Sequence, residues 1–143
     1  MSKTTQLMTK QISEILDVLR SYEIPVFEDN IPSNEDEKFK NDNIKGYHLF
    51  VYETGEMQKH DDMKSLIQDV VIYYYSEKRD DLDERAIDII LKMNQKNIKM
   101  LSLQSVEKQQ FKVKDKDRFV DRITFIYSRK IVLEGCVALC VGH

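Results

Sequence analysis

Two cysteines and a histidine near the end of the chain have the residue types of a metal site. Cys136, Cys140 and His143 lie within eight residues, and thiolates and imidazole are ligands that Zn²⁺ prefers. Structural zinc sites use four ligands with tighter cysteine spacing, and no fourth ligand is evident in the sequence. The residues between the cysteines are apolar, and free cysteines often pack as small hydrophobic side chains. The pattern therefore favours packed cysteines, and neither a metal nor another cofactor is predicted.

The remaining reactive residue types form no recognisable catalytic motif. The segment His60-Asp61-Asp62 is typical of a solvated polar loop. The four glycines are too widely spaced for a phosphate-binding GxGxxG turn or P-loop, and the sequence has no GxSxG nucleophile turn. No catalytic residue is predicted, so the chain is expected not to be an enzyme.

Three consecutive tyrosines, Tyr73, Tyr74 and Tyr75, resemble a stacking surface for nucleic acid. Successive strand residues point to opposite faces, however, so the three rings cannot form one platform. Acidic neighbours and a net charge of −3 also argue against nucleic-acid binding. Tyr73 and Tyr75 are therefore predicted to share one face, as part of a sheet core or a subunit interface.

A basic residue recurs at every second position late in the chain, at Lys112, Lys114, Lys116 and Arg118. Two aspartates alternate with them. On a strand this spacing gives one basic face. The pattern is typical of a solvated hairpin tip, and its functional interpretation is a charged arm that contacts a partner or lines a pore.

Hydrophobic periodicity predicts the elements that position these residues. The order is helix, strand, strand, strand, helix, strand, strand, which predicts an α+β fold with a mostly antiparallel sheet and two helices packed on it. The helices are predicted at 6–21 and from about 80 to 94 or 97, and the strands at 24–28, 47–54, 66–76, 98–108 and 118–129. A mobile loop is expected at 29–46, another loop at 57–64 and a charged hairpin tip at 109–117, while the tail at 131–143 is unassigned.

Length and composition are those of one domain. The chain has 143 residues, of which 41% are hydrophobic and 33% charged, enough to bury a core. No apolar run is long enough to cross a membrane, and the first residues lack the apolar segment of a secretory signal. A single domain over 1–143, folded in a cytoplasm, is expected.

The chain resembles the tail terminator (tail completion) proteins of long-tailed bacteriophages over roughly residues 6–129. The similar segments are QLMTKQISEILDVLRSYEIPVFEDNIP, YHLFVYET, LIQDVVIYYYSEKRDDLDERAIDIILKM, MLSLQSV and DRFVDRITFIYSR. The resemblance is one of pattern, size and order of elements, because that family has no invariant catalytic motif.

The resemblance implies a structural virion protein assembled in the host cytoplasm. Such proteins form a ring, typically a hexamer, that caps the tail tube, ends its polymerisation and docks to the head–tail connector. DNA passes through the lumen without specific binding, and no cofactor or catalysis is implied. Candidate contacts with partners are Tyr73, Tyr75, Lys112, Lys114, Lys116 and Arg118, together with loops 29–46, 55–64 and 109–117.

Two alternatives remain open. One is another neck protein of the same particle, such as a head-completion or adaptor protein, although those are often more helical. The other is a small metal- or nucleic-acid-binding accessory protein that uses Cys136, Cys140 and His143.

Overall fold

A computed structural model describes residues 2–114 and 116–133 of the chain. The fold is α+β, as predicted, with a mostly antiparallel sheet. In chain order the elements are α1 (Lys3–Arg20), β1 (Val26–Glu28), α2 (Ser33–Asn41), β2 (Leu49–Lys59), β3 (Ser65–Ser76), α3 (Leu82–Lys96), β4 (Leu101–Lys112) and β5 (Phe119–Val132).

The five strands form one sheet in the order β1-β2-β3-β5-β4. The short strand β1 runs parallel to β2, and every other neighbouring pair is antiparallel. The centre of the sheet is β3, which pairs with β2 on one side and β5 on the other. Its alternation of β-branched and aromatic residues suits a strand that is covered on both faces.

Helices α1 and α3 cover one face of the sheet. Their apolar stripes pack on side chains from the three central strands, because helical residues three and four apart share one face. This first core includes Ile15, Leu19, Phe50, Ile72, Tyr74, Ala86, Ile89, Met93, Ile123 and Phe125. A second, smaller core lies on the opposite face and contains Tyr47, Leu49, Val51, Val113 and Val120.

A buried polar contact also fixes α1 to the sheet. Arg129 on β5 donates from Nε to the Gln68 side-chain oxygen at 2.8 Å and from Nη1 to the Met8 carbonyl at 3.2 Å. Burial lowers the pKa of Arg129, because desolvation disfavours the charged form. These hydrogen bonds compensate part of that cost.

Helix α1 begins with a side-chain cap. The Ser2 hydroxyl accepts a hydrogen bond from the Thr5 amide at 3.1 Å, which satisfies one of the free N–H groups of the first turn.

Replacing Ser2 with alanine is expected to lower the free energy of unfolding by about 1 kcal/mol, because the Thr5 amide loses its acceptor. Urea denaturation followed by circular dichroism would measure the change. The Ser2→Asn variant should keep wild-type stability, since asparagine caps equally well. Equal losses in both variants would contradict the capping role.

Helix α3 begins without a side-chain cap. Asp81 precedes the helix, but its carboxylate does not cap it. Arg79 instead holds both carboxylate oxygens, at 2.8 and 2.7 Å. Asn97 follows the last residue of the helix and adopts φ of 54°, the left-handed conformation in which asparagine can end a helix.

The prediction of two helices and a single loop over 29–46 is wrong, because Ser33–Asn41 form α2. Phe39 is the only aromatic residue in α2, so the helix shows no apolar period in the sequence. Acidic residues in its first turn and basic residues in its last turn complement the helix dipole. Ring contacts of Phe39 hold it on the sheet, with centroid distances of 5.6 Å to Tyr47 and 6.4 Å to Phe27.

The connections between strands are shorter than predicted. Strand β2 extends to Lys59, where the sequence predicts a loop, and Lys59 pairs with Leu66 of β3. Strand β4 extends to Lys112 and so occupies the first part of the predicted 109–117 tip. Strand β5 includes the first two residues of the unassigned tail and ends at Val132. In the described part of the chain, no helix is long and apolar enough to cross a bilayer.

Candidate assembly surface

A cleft opens between α2 and the turn that joins β4 to β5. Its volume is about 430 Å³, and we name it the tip cleft. It is lined by the cationic residues Lys40, Lys112, Lys114 and Arg122, the aromatic residues Tyr47, Tyr75 and Phe111, and Ile31, Asp36, Val113 and Val120. The fold thus brings three of the predicted contact residues, Tyr75, Lys112 and Lys114, into one site.

An ion pair next to the tip cleft links two of the strands that surround it. Arg118 binds Glu77 through two hydrogen bonds, from Nε at 2.9 Å and from Nη2 at 2.7 Å. The side chains of Arg118 and Glu77 are only 11% and 3% exposed. The Tyr47 amide also donates to this carboxylate. The pair therefore joins the end of β3 to the start of β5.

Arg118 also caps the end of α2. Its guanidinium donates to the Lys40 carbonyl at 2.7 Å and the Phe39 carbonyl at 3.2 Å, which are free acceptors of the last helical turn. Gly46 makes room for this arrangement, because a Cβ there would lie 1.8 Å from a Glu77 carboxylate oxygen. Arg118, which contacts both Glu77 and the end of α2, is therefore largely buried.

The predicted basic row is not one exposed face. Lys112 and Lys114 are exposed, Lys116 is half-buried, and Arg118 lies in the Glu77 ion pair. The row breaks because the chain turns after Lys112, so strand alternation no longer applies. Val113, between the two exposed lysines, is buried in the second core.

Tyr73 and Tyr75 share a face as predicted, with ring centroids 6.4 Å apart. Both are half-buried against the second core, while Tyr74 lies in the first core. The Tyr73 hydroxyl donates to Glu53 at 2.8 Å. Burial, together with this carboxylate, raises the pKa of Tyr73 to about 12. Tyr75 therefore lines the tip cleft, and Tyr73 lies next to Tyr75 outside the lining.

Arg122 connects Tyr73 to the rim of the cleft. Its guanidinium lies 5.0 Å from the Tyr73 ring centroid and 4.6 Å from that of Phe111. The side-chain oxygen of Gln109 accepts a hydrogen bond from the Arg122 guanidinium. Such cation–π contacts place positive charge next to aromatic surface, a combination that suits an acidic partner.

Helix α2 supplies the opposite wall. The Tyr47 hydroxyl donates to the Asp36 carboxylate at 2.8 Å. Burial raises the pKa of Tyr47, and the Asp36 carboxylate raises it further. Among the described residues, Asp36 is the only acidic one that lines the cleft, and it already has a partner. The described lining therefore has a positive balance of charge.

Beside the tip cleft, β4 forms an edge of the sheet. Its hydrogen bonds to β5 leave its outer side without a strand neighbour in the described part of the chain. The apolar side chains of Leu103, Val106 and Phe111 are exposed along it. A shift of register between Leu103 and Ser105 marks a bulge. An exposed edge of 12 residues is a ready template for pairing with another chain.

The other predicted candidates do not join this surface. Cys136, Cys140 and His143 lie outside the described residues. Within 2–114 and 116–133, no group of three His, Cys, Asp or Glu side chains is placed to hold a metal ion.

Sequence reasoning missed the central roles of Glu77 and Arg118. They are 41 residues apart, so no local pattern connects them. The only available signal was a charged residue directly after the most apolar strand, where a buried charge needs a partner. Phe111 was missed as well, because it was assigned to the tip and not to a strand.

Neither a protein-family model nor a curated protein matches this chain. The geometry of the tip cleft and of the β4 edge is therefore what bears on function. The two surfaces are continuous, because Phe111 and Lys112 belong to β4 and also line the cleft.

Proposed function

We propose that this chain is a structural virion protein of a long-tailed bacteriophage, a tail terminator. In this role, copies of the chain form a ring, a hexamer in the proteins that it resembles, which caps the tail tube and ends its polymerisation. The opposite side of the ring contacts the head–tail connector, and DNA passes through the lumen without specific binding. This role uses neither catalysis nor a cofactor.

The observation that carries the proposal is the exposed β4 edge. Soluble proteins normally shorten, twist or cover such an edge, because free main-chain groups promote association. Here a bulge and two lysines interrupt the edge, but it remains 12 residues long and carries exposed apolar side chains. A protein that functions as an assembly can use such an edge to bind its neighbouring subunits.

The tip cleft supports the same role. Its lysines and aromatic rings suit an acidic surface of a protein partner, and the partners in this role are further copies, the tube protein and the connector. The proposal also depends on the resemblance, which is one of pattern, size and order of elements in the sequence.

The test is electron microscopy with native mass spectrometry, on the purified protein alone and with tail tubes formed from the tube protein of the same phage. We expect closed rings, or caps at one end of the tubes. A monomer that never binds tube ends would overturn the proposal. Binding to the isolated connector but not to tubes would favour the head-completion alternative.

A further inference from the structure

The two edges of the sheet carry opposite charge. We define the basic edge as residues 99–114, which include β4 and four lysines against one glutamate: Lys99, Lys108, Lys112, Lys114 and Glu107. We define the acidic edge as residues 23–30, which include β1 and three acidic residues without a basic one: Glu23, Glu28 and Asp29. All three acidic side chains are exposed.

We infer that copies of this chain associate head to tail, with the basic edge of one copy on the acidic edge of the next. The inference rests on the proposed ring and names the surfaces that form it. The partner on each edge is thus a second copy of this chain.

The opposite charges act between copies because they are too far apart to neutralise each other. Four inter-strand spacings separate β1 from β4, about 19 Å in all, and salt screens exposed charges beyond about 8 Å under physiological conditions. Of the lysines on the basic edge, Lys108 binds Asp83 of the same chain at 2.6 Å. Lys99, Lys112 and Lys114 are exposed.

Free main chain is present at both edges. The outer side of β4 has no strand neighbour among the described residues. On the far edge, β1 pairs only with Phe50–Tyr52 of β2, although β2 continues to Lys59. Among the described residues, the stretch 53–59 of β2 therefore also has no strand neighbour on its outer side, next to Glu28. Hydrogen bonding between the edges can accompany the charge contact.

Charge also argues against the alternative of a two-fold dimer through β4. An antiparallel β4–β4 contact would bring the lysines of two basic edges together, and like charges across an interface oppose association. Contact between two different edges is heterologous, and such contacts close into a ring when the rotation between copies allows it. The charge pattern therefore fits the proposed ring.

The experiment reverses each edge separately and then both together. The basic-edge variant is Lys112→Glu with Lys114→Glu, and the acidic-edge variant is Glu23→Lys with Glu28→Lys. A control with the same change in charge is Lys3→Glu with Lys10→Glu, two exposed lysines on α1. Thermal unfolding verifies that each variant is folded, and native mass spectrometry and sedimentation measure association, in solution and on tail tubes.

Each single-edge variant is expected to associate about tenfold more weakly or worse, because like charges then face each other. The control should associate as the wild type does. The chain that carries both reversals should assemble again, and so should an equimolar mixture of the two single-edge variants, in which the copies alternate.

Wild-type association by both single-edge variants would overturn the inference. A folded but unassembled double-reversal chain would overturn it as well. If both single-edge variants still cap tubes as the wild type does, the inference fails and the terminator proposal stands. If the wild type neither associates nor binds tubes, both fail.

Discussion

Replacing Ile89 with aspartate is expected to unfold the protein. Ile89 is 0% exposed and lies in the first core, on the face of α3 that packs on the sheet. A carboxylate there would be buried without a partner, at a cost of several kcal/mol. This cost is of the same order as the whole stability of a domain. Circular dichroism and gel filtration of the purified variant would detect the loss of fold.

Ile87→Asp is the matched control. Ile87 is on the same helix, two residues away, but is 55% exposed. Its replacement should change the free energy of unfolding by less than about 0.5 kcal/mol, as is usual for surface positions. A folded, native-like Ile89→Asp protein would mean that the buried face of α3 has been assigned incorrectly.

Replacing Glu77 with alanine is expected to lower the free energy of unfolding by about 3–5 kcal/mol. The change leaves the Arg118 guanidinium inside the fold without its counter-charge, and removal of one partner from a buried ion pair costs this much. It also leaves the Tyr47 amide without its acceptor. Urea denaturation would measure the loss.

Lys38→Ala tests whether the loss of stability in Glu77→Ala arises because the ion pair is buried. Lys38 pairs with Glu35 on α2 at 3.4 Å, but its side chain is 70% exposed. Loss of such a surface pair should change the free energy of unfolding by less than about 1 kcal/mol. Equal losses for Glu77→Ala and Lys38→Ala would refute the special role of the Glu77–Arg118 pair.

The Glu77 carboxylate also predicts that the free energy of unfolding depends on pH. Burial acts to raise the pKa of Glu77, but the hydrogen bonds from Arg118 and the Tyr47 amide outweigh it, so the pKa lies below its ordinary value. The stabilisation from Glu77 is therefore complete above the unfolded-state pKa of about 4.3 and is lost as pH falls through the folded-state pKa. The stability difference between wild type and Glu77→Gln should shrink in that acidic range. A difference independent of pH would contradict this assignment.

The sequence predicted those elements whose apolar residues repeat with a clear period. Helices α1 and α3 have such stripes, and the alternation in β3 correctly separated Tyr74 from Tyr73 and Tyr75. Helix α2 lacks this signal, because its fold depends on Phe39 contacting rings that are distant in sequence. The end of β2 was missed for a similar reason, since residues 54–59 are exposed and only pairing with β3 makes them a strand.

The candidate surface was predictable only in part. Tyr75, Lys112 and Lys114 were identified from spacing alone, and they line one cleft. Spacing could not show that Arg118 turns inward, because its partner Glu77 belongs to a different strand end. The opposite charges of the two edges also required the strand order, since residues 23–30 and 99–114 become opposite edges only in the folded sheet.

The strand order also sets when the basic edge can form. β4 joins the sheet only through β5, and β5 begins at Phe119, after every other strand of the described chain has been synthesised. Until β5 inserts beside β3, the strand β4 has no place in the sheet, and the basic edge does not exist as a surface. Pairing between strands so distant in sequence is slow. In the head-to-tail association that we propose, unfinished or partly folded chains would therefore lack the basic edge, and strand order would act as a checkpoint against their incorporation.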